Sequence, residues 1–106
     1  GGLIDGPSAG LAVVLAMLSA IQKKPVRQDV AVTGEVSIQG KVKQVGGIPE
    51  KIYGARQAGM RKVIIPDENR NEVPSDVRGI VVVAAGNIED VLSHVFAVKR
   101  ASNGRK

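Results

Sequence analysis

Ser8 stands in Asp5-Gly6-Pro7-Ser8-Ala9-Gly10, directly before an apolar run from Leu11 to Ile21. A serine hydroxyl attacks a carbonyl carbon once a base takes its proton, and unpaired backbone N–H groups at a helix start can hold the resulting oxyanion. The run predicts a buried helix over about residues 8–23, with Ser8 at its mouth and Pro7 suited to the entry turn because it has no N–H to satisfy. Ser8 and Ala9 are therefore the expected oxyanion region. The small neighbours let a substrate backbone come close. What such a site still needs is a base.

The chain has one histidine, His94, and no cysteine. His94 falls between the apolar positions 88, 91, 92, 95 and 96 of a helical pattern, which predicts a partly exposed surface residue. A Ser8–His94–Asp5 triad has no support beyond the presence of the three residue types, because triads are defined by geometry. Lys51 is the better candidate. It follows Gly46-Gly47-Ile48-Pro49-Glu50 and precedes Gly59, so Gly and Pro bracket a helix over about 49–58 with Lys51 in its first turn. The helix dipole disfavours a cation there, and an amine serves as a base only in its neutral form. On its own the placement is equally that of an exposed lysine.

Taken together, the blocks Asp5–Gly10, Pro25–Val36, Gly46–Lys51 and Lys62–Asn69 resemble the proteolytic domain of Lon proteases. The 43-residue separation of Ser8 and Lys51 is that of the family's Ser–Lys dyad. The likeness runs from about Gly2 to Ala97, and four blocks in order are far more specific than any one of them. The resemblance implies a serine endopeptidase with Ser8 as nucleophile and Lys51 as general base, passing through an acyl-enzyme on Ser8. It further implies that Thr33 lies close to the lysine amine, and that Asp5 and Glu35 organise the active loop without transferring protons. It implies an α/β Lon-type domain with a mixed sheet and packed helices over residues 1–98; the basic stretch 99–106 reads, on its charge, as a flexible tail. The domain's N-terminal strands would precede Gly1.

The same resemblance implies unfolded, damaged or extended polypeptides as substrates, a hexameric ring and a cytoplasmic setting. ATP and Mg are expected only for a separate ATPase module, since no Walker A motif is present here. Gly1 to Ser8 imitates a phosphate loop at three of its four fixed positions, but Pro7 replaces the lysine and Asp5 would repel phosphate. The chain departs from many family members at Pro49, where they carry a lysine. A proline early in a helix should leave the dyad undisturbed. The alternative reading, from another functional class, is a catalytically idle module of the same fold used for ring assembly or scaffolding.

Composition excludes several other classes. At 106 residues with 43% hydrophobic content the chain is one domain or part of one. Without cysteine there are no disulfides and no thiolate metal sites, and no cluster of metal ligands is visible, which fits a reducing compartment. The run Leu11–Ile21 is too short to span a bilayer, and no basic segment precedes it as in a secretory signal. The net charge of +5 is concentrated in the tail. Lys99, Arg100, Arg105 and Lys106 supply +4 of it, leaving 11 basic and 10 acidic residues in the first 98. A near-neutral body with one Tyr and one Phe is not that of a nucleic-acid binder.

The elements that must position Ser8 and Lys51 alternate in type. A strand is expected at about 29–33, a hairpin over 36–45 turning at Gln39-Gly40, the helix at 49–58 and a strand at 62–65. A polar stretch over 67–78 with a possible helical turn comes next, then a strand at 80–85 and a helix at about 87–97. Gly54, inside the second helix, either allows close packing or simply costs stability. Such alternation indicates an α/β sheet covered by helices.

Overall fold

Valine, isoleucine and alanine make up most of three short segments, and these pair side by side in parallel. The computed structural model describes residues 8–96. In it, β2 (Val30–Val32), β5 (Lys62–Pro66) and β6 (Val81–Ala85) form one three-stranded sheet in the order β2-β5-β6. A second sheet is antiparallel, in the order β1-β3-β4, built from β1 (Ser8–Gly10), β3 (Glu35–Ser37) and β4 (Val42–Lys43). The helices are α1 (Leu11–Gln22), α2 (Ile48–Gln57) and α3 (Ile88–Val95), with a 3-10 helix at Asp67–Glu72. The mixed α/β architecture is the one expected, with its parallel and antiparallel pairings divided between two sheets.

β5 is the spine of the parallel sheet. Its successive side chains point to opposite faces, so Val63 and Ile65 pack with Ile48 and Ile52 of α2. Ile64 packs on the other side with Leu11 and Leu15 of α1 and Val91 and Val95 of α3. Both faces are covered, which is why Val63, Ile64, Ile65 and Pro66 are all buried. α3 is capped by Asn87, whose side-chain oxygen accepts the Asp90 N–H at 2.9 Å, the capping that orphan N–H groups at a helix start require. The expected hairpin is present: β3 and β4 pair antiparallel, and Gly40 turns between them.

Two expectations need correction. The first helix begins at Leu11, not at Ser8. Ser8, Ala9 and Gly10 are extended and pair with Ser37, Val36 and Glu35, so their backbone follows the β3 ladder. The N–H of Leu11 is taken by the Gly34 carbonyl at 3.0 Å. Nor is that helix buried all round. Leu11 and Leu15 are inside, whereas Val13, Met17 and Ile21 are exposed at 59%, 58% and 73% along one face. For Gly54, no described atom from outside its own stretch of helix lies within 4 Å of where a Cβ would be, so close packing is not its reason.

Candidate active site

The β1–β3 ladder puts Ser8 within reach of a carboxylate. Ser8 is paired with Ser37, so Glu35 is its diagonal neighbour on the same face, a distance that a long side chain spans. The Ser8 hydroxyl donates to Glu35 Oε1 at 2.9 Å, and both residues are exposed. Beside them opens a cavity of about 420 Å³, lined by Ser8, Val14, Leu18, Val36, Ile38 and Ile88 among others. Its wall is largely aliphatic, with Ile38 78% exposed at the rim. Such a groove suits an apolar side chain held next to the Ser8 hydroxyl.

Lys51 lies in the first turn of α2, as the Gly and Pro signals require. Its own N–H bonds to the Gly47 carbonyl at 3.0 Å, closing that turn. Gly47 is the N-cap in the left-handed region at φ 71°, where a side chain is strained. A Cβ there would stand 3.4 Å from Lys51 Nζ, because the amine folds back over the Gly46-Gly47 pair and donates to the Gly46 carbonyl at 2.8 Å. Ser8 and Lys51 are thus each engaged with another partner, and among the described residues no hydrogen bond joins them.

The remaining candidates within the described residues have partners of their own. The Thr33 hydroxyl donates to the Ile64 carbonyl at 3.2 Å, which also accepts the Thr33 N–H at 3.0 Å, so Thr33 extends the β2–β5 ladder. Ala9 is exposed on β1 opposite Val36. The expected oxyanion donors at a helix start are displaced, since Ser8 and Ala9 precede the first turn of α1. Asp5 and Pro7, and the basic tail at 99–106, lie outside the described residues. His94 is half-buried, and its Nδ1 is 3.1 Å from Lys62 Nζ, so its hydrogen-bond partner is Lys62 and not Ser8.

Asn69 is the residue that sequence reasoning missed. It is 1% exposed within the 3-10 helix and clamps the loop leading to Lys51. Its Oδ1 accepts the Val45 N–H at 3.0 Å, and its Nδ2 donates to the Val45 carbonyl at 2.9 Å and to Glu72 Oε2 at 2.8 Å. Glu68 adds a second fastening by accepting the Gln44 N–H at 3.1 Å. The only trace of Asn69 in the sequence is its place at the end of the Lys62–Asn69 block. A clear electrostatic perturbation is found at the Arg27–Asp29 pair. A side-chain hydrogen bond from Arg27, at 2.9 Å, holds the Asp29 carboxyl below its ordinary range, and the same bond raises Arg27.

Comparison with known proteins agrees with this arrangement of elements. Residues 3–98 match the model of the Lon protease (S16) C-terminal proteolytic domain. The chain is 45% identical over 93 residues to Lon protease 2 of Bacillus subtilis, covering 88% of this chain and 17% of that protein. It is 40% identical over 98 residues to a Lon protease of Fusobacterium nucleatum, covering 90% of this chain and 13% of the relative. With a Lon protease of Trichlorobacter lovleyi the identity is 46% over 92 residues, at 83% and 11% coverage. The chain therefore belongs to the Lon protease C-terminal proteolytic domain family, and its fold is that of a proteolytic domain. It spans well under a fifth of the length of these relatives. Among the described residues no helix is long and apolar enough to cross a membrane.

Proposed function

We propose that this domain is a serine endopeptidase in which Ser8 is the nucleophile and Lys51 the general base. The observation that carries the reading is the exposed Ser8 hydroxyl on the wall of an apolar groove, in a chain of the Lon proteolytic family. Neutral Lys51 Nζ takes the hydroxyl proton as Ser8 Oγ bonds to the peptide carbonyl carbon, and the carbonyl electron pair moves onto oxygen. When the tetrahedral intermediate collapses, the C–N bond breaks and the ammonium returns its proton to the departing amine. Water then hydrolyses the ester on Ser8, with Lys51 again as base. An aliphatic substrate side chain would fill the groove between Val14, Ile38 and Ile88.

The proposed substrates are unfolded or extended polypeptides, which the family resemblance implies. A hexameric ring, a cytoplasmic setting and ATP dependence through a separate ATPase module complete the reading, and these rest on the family resemblance. The decisive experiment is casein cleavage by the intact protein. Ser8→Ala and Lys51→Ala should each abolish turnover while circular dichroism stays unchanged, and His94→Ala should change it little. Near-normal turnover in Lys51→Ala would remove the dyad. A second reading, an idle module serving assembly, is favoured by the separate engagement of Ser8 and Lys51. Analytical ultracentrifugation showing a ring without any turnover would support it.

A further inference from the structure

We infer that Glu35 is a positioning residue for the nucleophile, holding the Ser8 hydroxyl in competition with Lys51, so that releasing this bond is a step of acylation. The inference rests on the Ser–Lys reading given above. A serine hydroxyl has a single proton to donate. In the structure that proton points to Glu35 Oε1 at 2.9 Å, while the Lys51 amine donates to the Gly46 carbonyl at 2.8 Å. General-base catalysis needs the same proton directed at the amine. The carboxylate and the amine therefore cannot both be served at once.

Geometry makes the hold a built-in feature. Glu35 and Ser8 are fixed on adjacent strands by the Gly10↔Glu35 and Ser8↔Ser37 register, so the carboxylate reaches the hydroxyl diagonally without moving the backbone. Glu35 itself is exposed, and its substitution leaves the core untouched. Hydrogen bonds to an ionised acceptor are about twice as strong as neutral ones. Removing the charge or the reach of residue 35 weakens the hold and frees Ser8 for attack. The contact also keeps the nucleophile in one orientation at the groove mouth while no substrate occupies it.

The test is the rate at which a fluorophosphonate labels Ser8 in the intact protein, a reaction that needs the freed hydroxyl but no peptide. Glu35→Gln keeps the size and removes the charge. Glu35→Asp keeps the charge and is too short to span the diagonal. Glu35→Gln should label about three- to tenfold faster than the parent, the ratio expected when a charge-assisted bond becomes a neutral one, and Glu35→Asp, which loses the bond, at least as much faster. Equal or slower labelling in either variant overturns the inference, and an increase in Gln alone would make the effect one of charge and overturn it too. Loss of structure can only slow labelling, so a gain is not produced by damage. Ser8→Ala must abolish the label and Lys51→Ala must slow it. If those controls fail, the Ser–Lys reading falls and takes the inference with it; if only the Glu35 variants fail, the dyad stands.

Discussion

Replacing Gly34 and Gly54 by alanine should move stability in opposite directions, and the structure supplies both magnitudes. Gly34 sits at φ +114°, between β2 and β3, and its carbonyl receives the Leu11 N–H at the start of α1. An added Cβ would stand 3.0 Å from Pro66 Cγ, 3.4 Å from the Lys43 carbonyl and 3.4 Å from Val42 Cγ1. None of these is the loose end of a flexible chain, since Pro66 is buried in β5 and Val42 in β4. Left-handed backbone costs an L residue about 1–2 kcal/mol, and added atoms in filled space cost about 1–3 kcal/mol. Reduced freedom of the unfolded chain returns only about 0.4–1 kcal/mol. The net loss is about 1–4.5 kcal/mol, or about 5–35 °C in Tm for a domain this small. Gly54 lies inside α2 facing open space, so Gly54→Ala should gain about 0.5–1 kcal/mol. Urea unfolding of the 106-residue chain, followed by circular dichroism, reads both. A Gly34→Ala midpoint within experimental error of the parent would refute the crowding argument.

Two further outcomes follow from the same contacts. Asn69→Ala leaves a half-buried Val45 N–H without its acceptor and opens a small void, so it should cost about 1–3 kcal/mol in urea unfolding; a loss well under about 1 kcal/mol would mean that water or Glu72 replaces the clamp. Asp29 has its folded-state carboxyl lowered by the Arg27 hydrogen bond, so its contribution is present above the unfolded value and lost as pH falls through the folded one. Asp29→Asn should therefore lower the urea midpoint at pH 7 and flatten its acid decline below about pH 4, the ordinary carboxylate range; parallel curves for the two proteins would refute the linkage.

How far the sequence disclosed this arrangement depended on whether local pattern or distant pairing decided each element. β5 was legible because four consecutive buried residues mark a strand covered on both sides. α2 was legible because Gly47, Pro49 and Gly59 punctuate it, and α3 because its apolar residues keep helical spacing. β1 was not. Ser8, Ala9 and Gly10 have no strand propensity of their own, and what extends them is β3, with Glu35 27 positions away from Ser8. The exposed face of α1 was hidden for a related reason. A helix almost wholly apolar carries no polar stripe to say which side meets solvent. Ser8 and Lys51 stand out in the sequence as candidates from spacing and family likeness, while the carboxylate on Ser8 needed the strand register.

Thr33 shows where geometry and resemblance have to be separated by measurement. Its hydroxyl proton is pinned on the Ile64 carbonyl at 3.2 Å, so toward any other neighbour it offers only lone pairs. It can accept from a lysine amine but cannot donate to one. If it orients Lys51, it does so by drawing an N–H of the amine toward its oxygen. Thr33→Val removes those lone pairs at nearly constant shape, and the Ile64 carbonyl keeps the Thr33 N–H at 3.0 Å, so no acceptor is orphaned. Stability should then fall by only about 0.5–1.5 kcal/mol, the net worth of one neutral hydrogen bond. Casein turnover in the intact protein should fall about tenfold, equivalent to about 1.4 kcal/mol in the barrier, and Thr33→Ser should restore it. The comparison has a clean opposite. A Thr33→Val protein with near-normal turnover and the same small stability loss would show that the hydroxyl only fastens β2 to β5, and Lys51 would have to find its orientation from Gly46 and the α2 backbone.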